Sequence, residues 1–391
     1  MGEHEATKEK VYYYQKRNAA PKKKKRRASG GKILAIVLAS LAGLLVLAAV
    51  GVWGFLRYTN SLHAGMFADR SSSTMQQIRQ QRDAAATPAP EAEQSDDQQA
   101  SAPSADWIDA DGSAYRYRDD VQTLLVMGID YMKNSEHWKT GMVSNGGNAD
   151  VLALVILEGE SNRLSVLYIP RDTMTNMLQL DADGNYLDTV FNNISASHSY
   201  GDGGALSCEL TVDAVSNLLY GVPIQRYAAM DFESMSAINQ ALGGLEVTFP
   251  EDYSYLDYAF QKGATVRLTD YQLDRLIRYR DHSELDSAYQ RGLRDLKLVL
   301  SAMLRQVKQM LRQDPGAVMN IYNQLKPYMT TNLSLDEISY LAQQVTGFSL
   351  EGDTIVHIPG VVTAGEKYAE FYPDEAWLHD YVINTFCEKI N

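Results

Sequence analysis

Residues 150–172 read DVLALVILEGESNRLSVLYIPRD, and this stretch decides the class of fold. It contains two short apolar runs, at residues 150–157 and 163–170. A third run, QTLLVMGID, precedes them at residues 122–130. Continuous apolar runs of this length are typical of β-strands that are covered on both faces. We therefore predict that these segments are strands inside a layered domain.

Segments with helical periodicity alternate with the strand-like runs. They lie at residues 211–221, 231–244, 291–311, 333–345 and 374–387. Ser334 and Glu337 have the three-residue spacing of a capping box, which marks the start of a helix. The alternation predicts one α/β domain over residues 107–391, with helices packed on a central sheet.

A basic run precedes an uncharged run near the N-terminus. KKKKRR occupies residues 22–27, and residues 33–56 carry no charge. As a helix the uncharged run would reach about 36 Å, which is enough to cross a hydrocarbon core of about 30 Å. It is longer than the apolar core of a secretory signal, which is roughly 7–15 residues. We predict a basic cytoplasmic tail at residues 1–32, one transmembrane helix at residues 33–56 and an extracellular remainder.

The charge is divided unevenly across the predicted anchor. The chain has 36 basic and 49 acidic residues, of which residues 1–57 hold 12 and 3, so the remainder holds 24 and 46 and has a net charge of −22. An acidic domain predicts no nucleic-acid partner, because phosphate backbones require a basic surface. Residues 57–106 are polar and rich in Ala, Gln, Ser, Asp and Pro, which predicts an extracellular linker with a short helix at residues 71–82.

The cysteines and histidines argue against a disulfide-rich domain and against a zinc site. Only Cys208 and Cys387 are present, which is too few for a disulfide framework, although the two could pair outside a membrane. The seven histidines are scattered and have no zinc-ligand spacing. The sequence leaves the Cys208–Cys387 pairing open.

Charged residues stand at the ends of the three predicted strands. Asp130 ends the first, Asp150 opens the second, and Arg171 and Asp172 follow the third. Open α/β sheets bind ligands in the crevice at strand ends, so these side chains are candidates for one site. The alternative for each aspartate taken singly is a loop cap.

A group of arginines forms the other candidate. It consists of Arg278, Arg280, Arg291 and Arg294, and the last two have a spacing that places them on one helical face. Guanidinium groups bind phosphate oxygens bidentately and remain charged, so the group predicts a phosphate site. The alternative is a set of surface ion pairs with the neighbouring carboxylates, which are Asp281, Glu284, Asp286 and Asp295.

From about residue 123 onward the chain resembles the LytR-CpsA-Psr family of cell-envelope proteins. The motifs that carry the resemblance are GID at 128–130, AD at 149–150, IPRDT at 169–173, FNNISASHSYGDGG at 191–204, LGGLEV at 242–247, RYR at 278–280 and RGLR at 291–294. None of these motifs is decisive alone, but their order along the chain matches that of the family.

The resemblance implies a fold, a reaction and a set of site residues. It implies a central mixed sheet between helices, a long apolar cavity for a polyprenyl chain, and a bacterial membrane protein. Family members transfer a glycopolymer, such as teichoic acid or capsule, from polyprenyl pyrophosphate to peptidoglycan with Mg²⁺. By resemblance, Asp130 and Asp150 would bind Mg²⁺, and Asp172 would orient Arg171 or act as a base. The residues that would bind the pyrophosphate are Arg171, Arg278, Arg280, Arg291 and Arg294.

The chain departs from the family pattern at three positions, one of which is Ala288 in place of an aspartate, with Asp286 nearby. Asn148 replaces an arginine, and Asp295 replaces a glutamine. A long polar insert lies between Asp130 and Asp150, and its Lys133, His137 or Lys139 could supply the missing positive charge. These departures leave open a non-catalytic protein of the same fold that binds a polyprenyl phosphate or a glycan. A transcriptional attenuator is a further alternative, which the acidic domain and the short tail disfavour.

Overall fold

The structure is a computed structural model that describes residues 71–85, 107–108, 112–130, 146–231, 234–278, 285–314, 316–347, 354–366 and 368–390. The predicted cytoplasmic tail and transmembrane helix lie outside these ranges. Among the residues described, no helix is both long and apolar enough to span a bilayer.

Strands and helices alternate along the chain as the sequence predicts. The strands are β1 (Trp107–Ile108), β2 (Ala114–Tyr117), β3 (Val121–Ile129), β4 (Ala149–Glu158), β5 (Arg163–Ile169), β6 (Met174–Leu180), β7 (Tyr186–Asn193), β8 (Arg226–Asp231), β9 (Glu246–Thr248), β10 (Thr265–Arg267), β11 (Met329–Thr331), β12 (Ile355–His357), β13 (Gly360–Ala364), β14 (Ala369–Pro373) and β15 (Cys387–Ile390). The α-helices are α1 (Ser73–Ala85), α2 (Ala205–Leu218), α3 (Ser234–Ala241), α4 (Asp270–Arg278), α5 (Leu285–Gln313), α6 (Ala317–Leu325), α7 (Leu335–Gly347) and α8 (Glu375–Phe386). Short 3-10 helices lie at Ile194–Tyr200 and Lys326–Tyr328.

The central sheet has six strands in the order β11-β8-β3-β4-β5-β12. β3 pairs in parallel with β8, and β5 pairs in parallel with β12. The other neighbours in this sheet are antiparallel. The prediction of an α/β domain with a central mixed sheet is therefore confirmed. Every residue of β3 and β4 is buried, as expected for strands that are covered on both faces.

Alternation along the strands divides the interior into two cores. Leu124 and Val126 of β3 face a core that includes residues of α3 to α7. Leu125 and Met127 face the opposite core, which includes residues of α2 and α8. Successive side chains of a strand point to opposite faces, so one apolar run supplies both cores. The sheet is the middle layer of an α/β/α arrangement.

Helix α1 packs against the domain, although the sequence places it in the linker. Met75 and Ile78 are fully buried in a small core with Leu178 and Leu180 of β6. The helix at residues 71–82 is confirmed, but these residues belong to the packed domain rather than to a spacer. The sequence does not predict this packing, because only two apolar residues stand out in an otherwise polar segment.

Polar contacts complete the docking of α1. The hydroxyl of Ser72 donates to Glu209 Oε2 at 2.6 Å, and Arg79 Nε lies 3.1 Å from Asp213 Oδ1. Both acceptors lie on α2. Ion pairs and hydrogen bonds of this kind fix the position of a helix that buries little apolar area.

One local prediction is confirmed and one open question is answered. The side chain of Ser334 accepts from the backbone N–H of Glu337, and Glu337 Oε2 accepts from the N–H of Ser334 at 2.8 Å, which is the predicted capping box. Gly184 has a positive φ of 84° in the turn between β6 and β7. Cys208 and Cys387 are both buried free thiols and form no disulfide.

Candidate active site

The predicted strand ends meet at one edge of the central sheet. Because β3 and β8 are parallel, Ile129 lies beside Asp231, and the antiparallel pairing of β3 with β4 places Ile129 beside Ala149. β5 and β12 end at the same edge, where Tyr168 pairs with His357. The topology therefore brings Asp130, the first residues of β4 and the loop after β5 together, as the sequence predicts.

Asp150 is one of two almost fully buried aspartates at this edge, and the other is Asp231. The side chain of Asp150 is 4% exposed, and its Oδ1 accepts from Arg171 Nη1 at 3.4 Å. Its Oδ2 is buried and has no hydrogen-bond partner. Burial raises the pKa of Asp150 to about 7, Arg171 opposes that shift, and the charges of Asp130 and Asp172 add to it. A buried carboxylate with an unused oxygen is suited to a further cation.

Arg171 links the two carboxylates of the site. Its Nε lies 3.5 Å from Asp172 Oδ1, and its side chain is about one-third exposed. Burial lowers the pKa of Arg171, but the negative charges of Asp150 and Asp172 outweigh this effect and raise it overall. The guanidinium is therefore charged, partly open to solvent and oriented by acidic groups on two sides.

The loop that carries Arg171 and Asp172 is fixed through its backbone. The carbonyl of Arg171 accepts from Ser195 N–H at 3.2 Å, and that of Asp172 accepts from Phe371 N–H at 2.8 Å. The side-chain amide of Asn193 also donates to the carbonyl of Asp172, at 2.9 Å. This loop is consequently rigid, a requirement for a site that orients charged groups.

His198 fixes the start of β4 from the other side. Its Nδ1 lies 2.8 Å from the carbonyl oxygen of Gly146 and 3.2 Å from that of Gly147. Two carbonyl oxygens can only accept, so Nδ1 carries a proton. Burial lowers the pKa of His198 to about 4. A Cβ on Gly146 would lie 2.3 Å from the carbonyl oxygen of His198, so only glycine fits there.

The predicted divalent-ion site fits the residues present. Asp150 has a buried oxygen without a partner, and its pKa responds to the nearby charge of Asp130. Mg²⁺ in proteins takes one or two carboxylates and fills its remaining positions with water and phosphate oxygens. Groups of three or more metal-binding side chains do not occur within the described ranges. A two-carboxylate set therefore suits Mg²⁺ bound together with a phosphate substrate.

The structure describes the side chains of only some of the arginines that are predicted to bind the pyrophosphate. Arg278 is the last residue of α4, but its side chain, like the whole of Arg280, lies outside what the structure describes. Arg291 of α5 is half-buried. Arg294 is 59% exposed, and its Nη1 lies 3.7 Å from Glu251 Oε2. The proposed roles of these four arginines stay predictions.

Asp295 is buried rather than on the surface, where the alternative of surface ion pairs would place it. It is 1% exposed, and its Oδ1 accepts from the hydroxyl of Tyr253 at 3.1 Å. Burial and the negative charge of Asp295 raise the pKa of Tyr253. Asp281 and Glu284 of the ion-pair alternative lie outside the described residues, as do Lys133, His137 and Lys139 of the insert.

A cavity adjoins the site on the face of the sheet that carries α5. It has a volume of about 220 Å³, and its lining is mostly apolar, with Tyr168, Leu293, Leu296 and Ile355 among its residues. Tyr168 also interacts electrostatically with Arg171. The cavity thus begins close to the charged groups and extends beneath α5.

Two residues of the site were missed at the level of sequence. Asp231 ends β8 beside Ile129, and its Oδ1 accepts from Ser234 N–H at 3.2 Å, so it caps α3. The same argument from strand ends would have found it. His198 gave no signal, because nothing in its neighbourhood distinguishes a buried histidine from a surface one.

The fold is an α/β/α domain whose mixed sheet has a carboxylate- and arginine-containing edge. The chain matches the model of the LytR_cpsA_psr family over residues 74–378. It therefore belongs to the LytR-CpsA-Psr family, and the resemblance given by the motifs is confirmed.

The similar proteins are named as transferases, and a solved structure of another protein has a similar fold. A TagU polyisoprenyl-teichoic acid–peptidoglycan teichoic acid transferase of Halalkalibacterium halodurans is 25% identical over 230 residues, 58% of this chain and 66% of that protein. The TagU of Bacillus subtilis is 29% identical over 144 residues, 37% of this chain and 39% of that protein. The match thus spans less than two thirds of each relative. Protein gbs0355 of Streptococcus agalactiae has a TM-score of 0.51 and 18% identity, with 68% of this chain and 88% of that chain covered.

Proposed function

We propose that the protein is a membrane-anchored extracellular phosphotransferase that moves a glycopolymer, of the teichoic acid or capsule type, from polyprenyl pyrophosphate to peptidoglycan. The observation that carries the proposal is Asp150. Its carboxylate is buried beside Arg171 and keeps one oxygen without a hydrogen-bond partner. Such an arrangement is unfavourable in an empty protein and suits a site that receives a cation and a phosphate.

The substrate pyrophosphate would bind at the edge of the sheet. Arg171 is oriented by Asp150 and Asp172 and remains partly exposed, so it can donate to phosphate oxygens. We infer that Arg278, Arg280, Arg291 and Arg294 complete the binding of the pyrophosphate, as the family motifs imply. Positive groups at this place neutralise charge that develops on the transferred phosphoryl group.

Asp172 is the candidate base for the acceptor. Its side chain is about one-quarter exposed, and its Oδ1 lies 3.5 Å from Arg171 Nε. The hydroxyl oxygen of peptidoglycan would attack the phosphorus that bears the glycopolymer. The bond from that phosphorus to the bridging oxygen would break, polyprenyl phosphate would leave with the electron pair, and the hydroxyl proton would pass to Asp172.

Asp130 and Asp150 would bind Mg²⁺. When bound, the ion supplies positive charge against the pyrophosphate oxygens. The two carboxylates would hold the ion, and Asp150 is itself shielded from water by its burial. Asn148 contributes through its backbone, because its carbonyl accepts from Asp130 N–H at 2.9 Å.

The apolar cavity under Tyr168 would take the first part of the polyprenyl chain. Its volume of about 220 Å³ and its apolar lining suit the beginning of such a chain. A chain that leaves this cavity could return to the bilayer, where residues 33–56 would anchor the protein. The anchor is supported by the length and lack of charge of that run.

The test is a transfer assay with the full-length protein in detergent micelles. A polyprenyl-pyrophosphate-linked oligosaccharide and a peptidoglycan oligomer are incubated with the protein, with Mg²⁺ or with EDTA. We expect a joined product only with Mg²⁺. Absence of product under conditions in which a relative with the complete arginine pattern is active would contradict the proposal.

A binding protein of the same fold is the second candidate. Two observations favour it, which are Asn148 in place of the family arginine and the engagement of Asp295 by Tyr253. Tight binding of the lipid-linked donor without any joined product in the same assay would support this candidate.

A further inference from the structure

A groove runs along α5 on the outside of the domain. One wall is α5, and the other is the segment at residues 246–253. The backbone N–H of Glu246 donates to the side-chain oxygen of Gln306 at 2.8 Å, and the hydroxyl of Tyr253 donates to Asp295 at 3.1 Å. The segment is therefore fixed at both ends and runs antiparallel to the helix. The enclosed volume is about 340 Å³.

The lining of this groove is basic within an acidic domain. Arg294, Lys297 and Arg305 of α5 line it, and Glu251 is the acidic residue among the lining residues. Spacings of three and eight residues place the three cations on one side of the helix, spread over about 16 Å of its length. The chain outside the predicted anchor has a net charge of −22. A local excess of positive charge in such a chain attracts anions to this groove.

The positive side of α5 continues past the groove. Lys308 and Arg312 follow Arg305 at spacings of three and seven residues. Burial lowers the pKa of Lys308, and the nearby charge of Arg312 lowers it further. Like charges that are close enough to shift a pKa repel each other, and a bound polyanion would relieve that repulsion.

The acidic partner in the groove is weakly bound. Arg294 lies 3.7 Å from Glu251, and both side chains are about 60% exposed. Exposed pairs of this kind contribute little to stability, so a phosphate group can replace the carboxylate. Ser301 on the same wall adds a hydroxyl that can donate to a phosphate oxygen.

The groove adjoins the apolar cavity that is proposed for the polyprenyl chain. Arg294 and Lys297 line both the groove and that cavity under Tyr168. A donor whose prenyl chain occupies the cavity would therefore have the groove beside it for the part of the donor beyond the pyrophosphate. A concave channel between a helix and a loop fits a single flexible chain, whereas a planar bilayer would contact only its rim.

We propose that this groove binds the phosphate-bearing repeats of the glycopolymer, beyond the pyrophosphate that links it to the lipid. This inference rests on the proposed function and adds a second anionic subsite formed by Lys297, Ser301 and Arg305. It makes the protein selective for a polymer with phosphate in its repeats over a neutral glycan. Successive phosphates would bind to successive turns of α5.

The experiment measures binding of a lipid-free glycerol phosphate oligomer to the full-length protein in uncharged detergent, by calorimetry at low and moderate salt and in EDTA. We expect binding that weakens with salt, no binding of a neutral glucose oligomer of equal length, and about tenfold weaker binding by Arg305→Gln. Arg305→Lys should restore most of the affinity. Arg163→Gln is the matched control, because Arg163 is 58% exposed and lies at the opposite end of β5.

Two results would overturn the inference. One is equal affinity of the wild type and Arg305→Gln for the oligomer, which would place its binding elsewhere. The other is binding to vesicles of anionic phospholipid, weakened by Arg305→Gln, together with no binding to the oligomer. This result would make the groove a membrane contact. Neither result depends on catalysis, so failure of the groove and failure of the transfer reaction are distinguishable.

Discussion

Two arginine–carboxylate pairs in this domain are built in different ways. Arg226 of β8 and Glu337 of α7 are both almost fully buried, and Glu337 Oε1 accepts from Arg226 at 2.7 and 3.0 Å. Glu337 Oε2 accepts from Ser334 N–H. Burial alone would raise the pKa of Glu337, but its hydrogen bonds with Ser334 and Arg226 lower it below its ordinary value. This pair joins the sheet to a helix and has no spare oxygen.

The pair of Arg171 and Asp150 is looser and incomplete. The two groups approach only to 3.4 Å, and Asp150 keeps a buried oxygen without a partner. Burial raises the pKa of Asp150 to about 7, whereas the pKa of Glu337 is lowered. The comparison teaches that a structural pair satisfies both members, while a pair at a binding site leaves capacity for a ligand.

The largest expected effect is on transfer activity at the incomplete pair. Asp150→Ala and Asp130→Ala should each lower the rate at least about a thousandfold, because each removes a carboxylate that would hold the Mg²⁺ whose positive charge offsets that of the pyrophosphate. Thermal unfolding should be little changed. Asp119→Ala is the control, since Asp119 is exposed just before β3 at the far edge of the sheet. Unchanged activity in both variants would remove the two aspartates from the site.

The second effect is on stability at the complete pair. Glu337→Ala should lower the free energy of unfolding by about 3–5 kcal/mol, because Arg226 is left buried without its partner. Asp150→Asn should leave stability unchanged or raise it at pH 8, since a poorly satisfied buried charge is removed. Urea unfolding monitored by circular dichroism measures both values. Equal destabilisation by the two variants would mean that the pairs do not differ in kind.

The third effect is the dependence of stability on pH, to which the buried His198 and Asp150 contribute with opposite signs. His198 has a folded pKa of about 4 against 6.5 unfolded, so the unfolded state binds more protons in that window and stability falls as pH is lowered from 6.5 to 4. Asp150 has a folded pKa of about 7 against 3.8 unfolded, so its contribution has the opposite sign and is lost as pH rises from 3.8 to 7. The two contributions largely cancel in the wild type.

Asp150→Asn removes one side of that cancellation. Between pH 6.5 and pH 4 in EDTA, we expect the variant to lose about 3 kcal/mol of stability more than the wild type does. Chemical unfolding at several pH values gives this difference directly, and other titrating groups cancel in the comparison. Parallel curves for the two proteins would show that Asp150 ionises normally in the folded state.

A smaller effect concerns two of the arginines that the family motifs predict to bind the pyrophosphate. Arg278→Ala and Arg280→Ala should each weaken binding of a soluble prenyl pyrophosphate by roughly ten- to a hundredfold, since one charge-assisted hydrogen bond to phosphate is worth about 1.5–3 kcal/mol. Arg163→Ala provides the control. Normal affinity in both variants would assign these arginines to surface ion pairs.

The incomplete pair was predictable from the sequence, for a physical reason. Apolar runs define β3, β4 and β5, and the charged residues that interrupt them must lie at strand ends. Asp130, Asp150 and Arg171 were therefore expected to meet at one edge. The capping box of Ser334 and Glu337 was predictable because it depends only on local spacing.

Other features depend on contacts between distant parts of the chain. Arg226 and Glu337 are 111 residues apart, and no local pattern joins them. His198 contacts Gly146 across 52 residues, and the apolar contribution of α1 to the core comes from Met75 and Ile78. Asp295 faces the buried hydroxyl of Tyr253 although it stands in an arginine-rich segment. Each of these requires the folded arrangement before its partner is known.

The most direct test of the central claim is the binding of Mg²⁺ to the incomplete pair. Calorimetry of the full-length protein in detergent, with a soluble prenyl pyrophosphate present, would compare the wild type, Asp150→Asn and the control Asp119→Asn. The account predicts Mg²⁺ binding by the wild type and by Asp119→Asn, and at least tenfold weaker binding by Asp150→Asn. Equal Mg²⁺ affinity in all three proteins would contradict it.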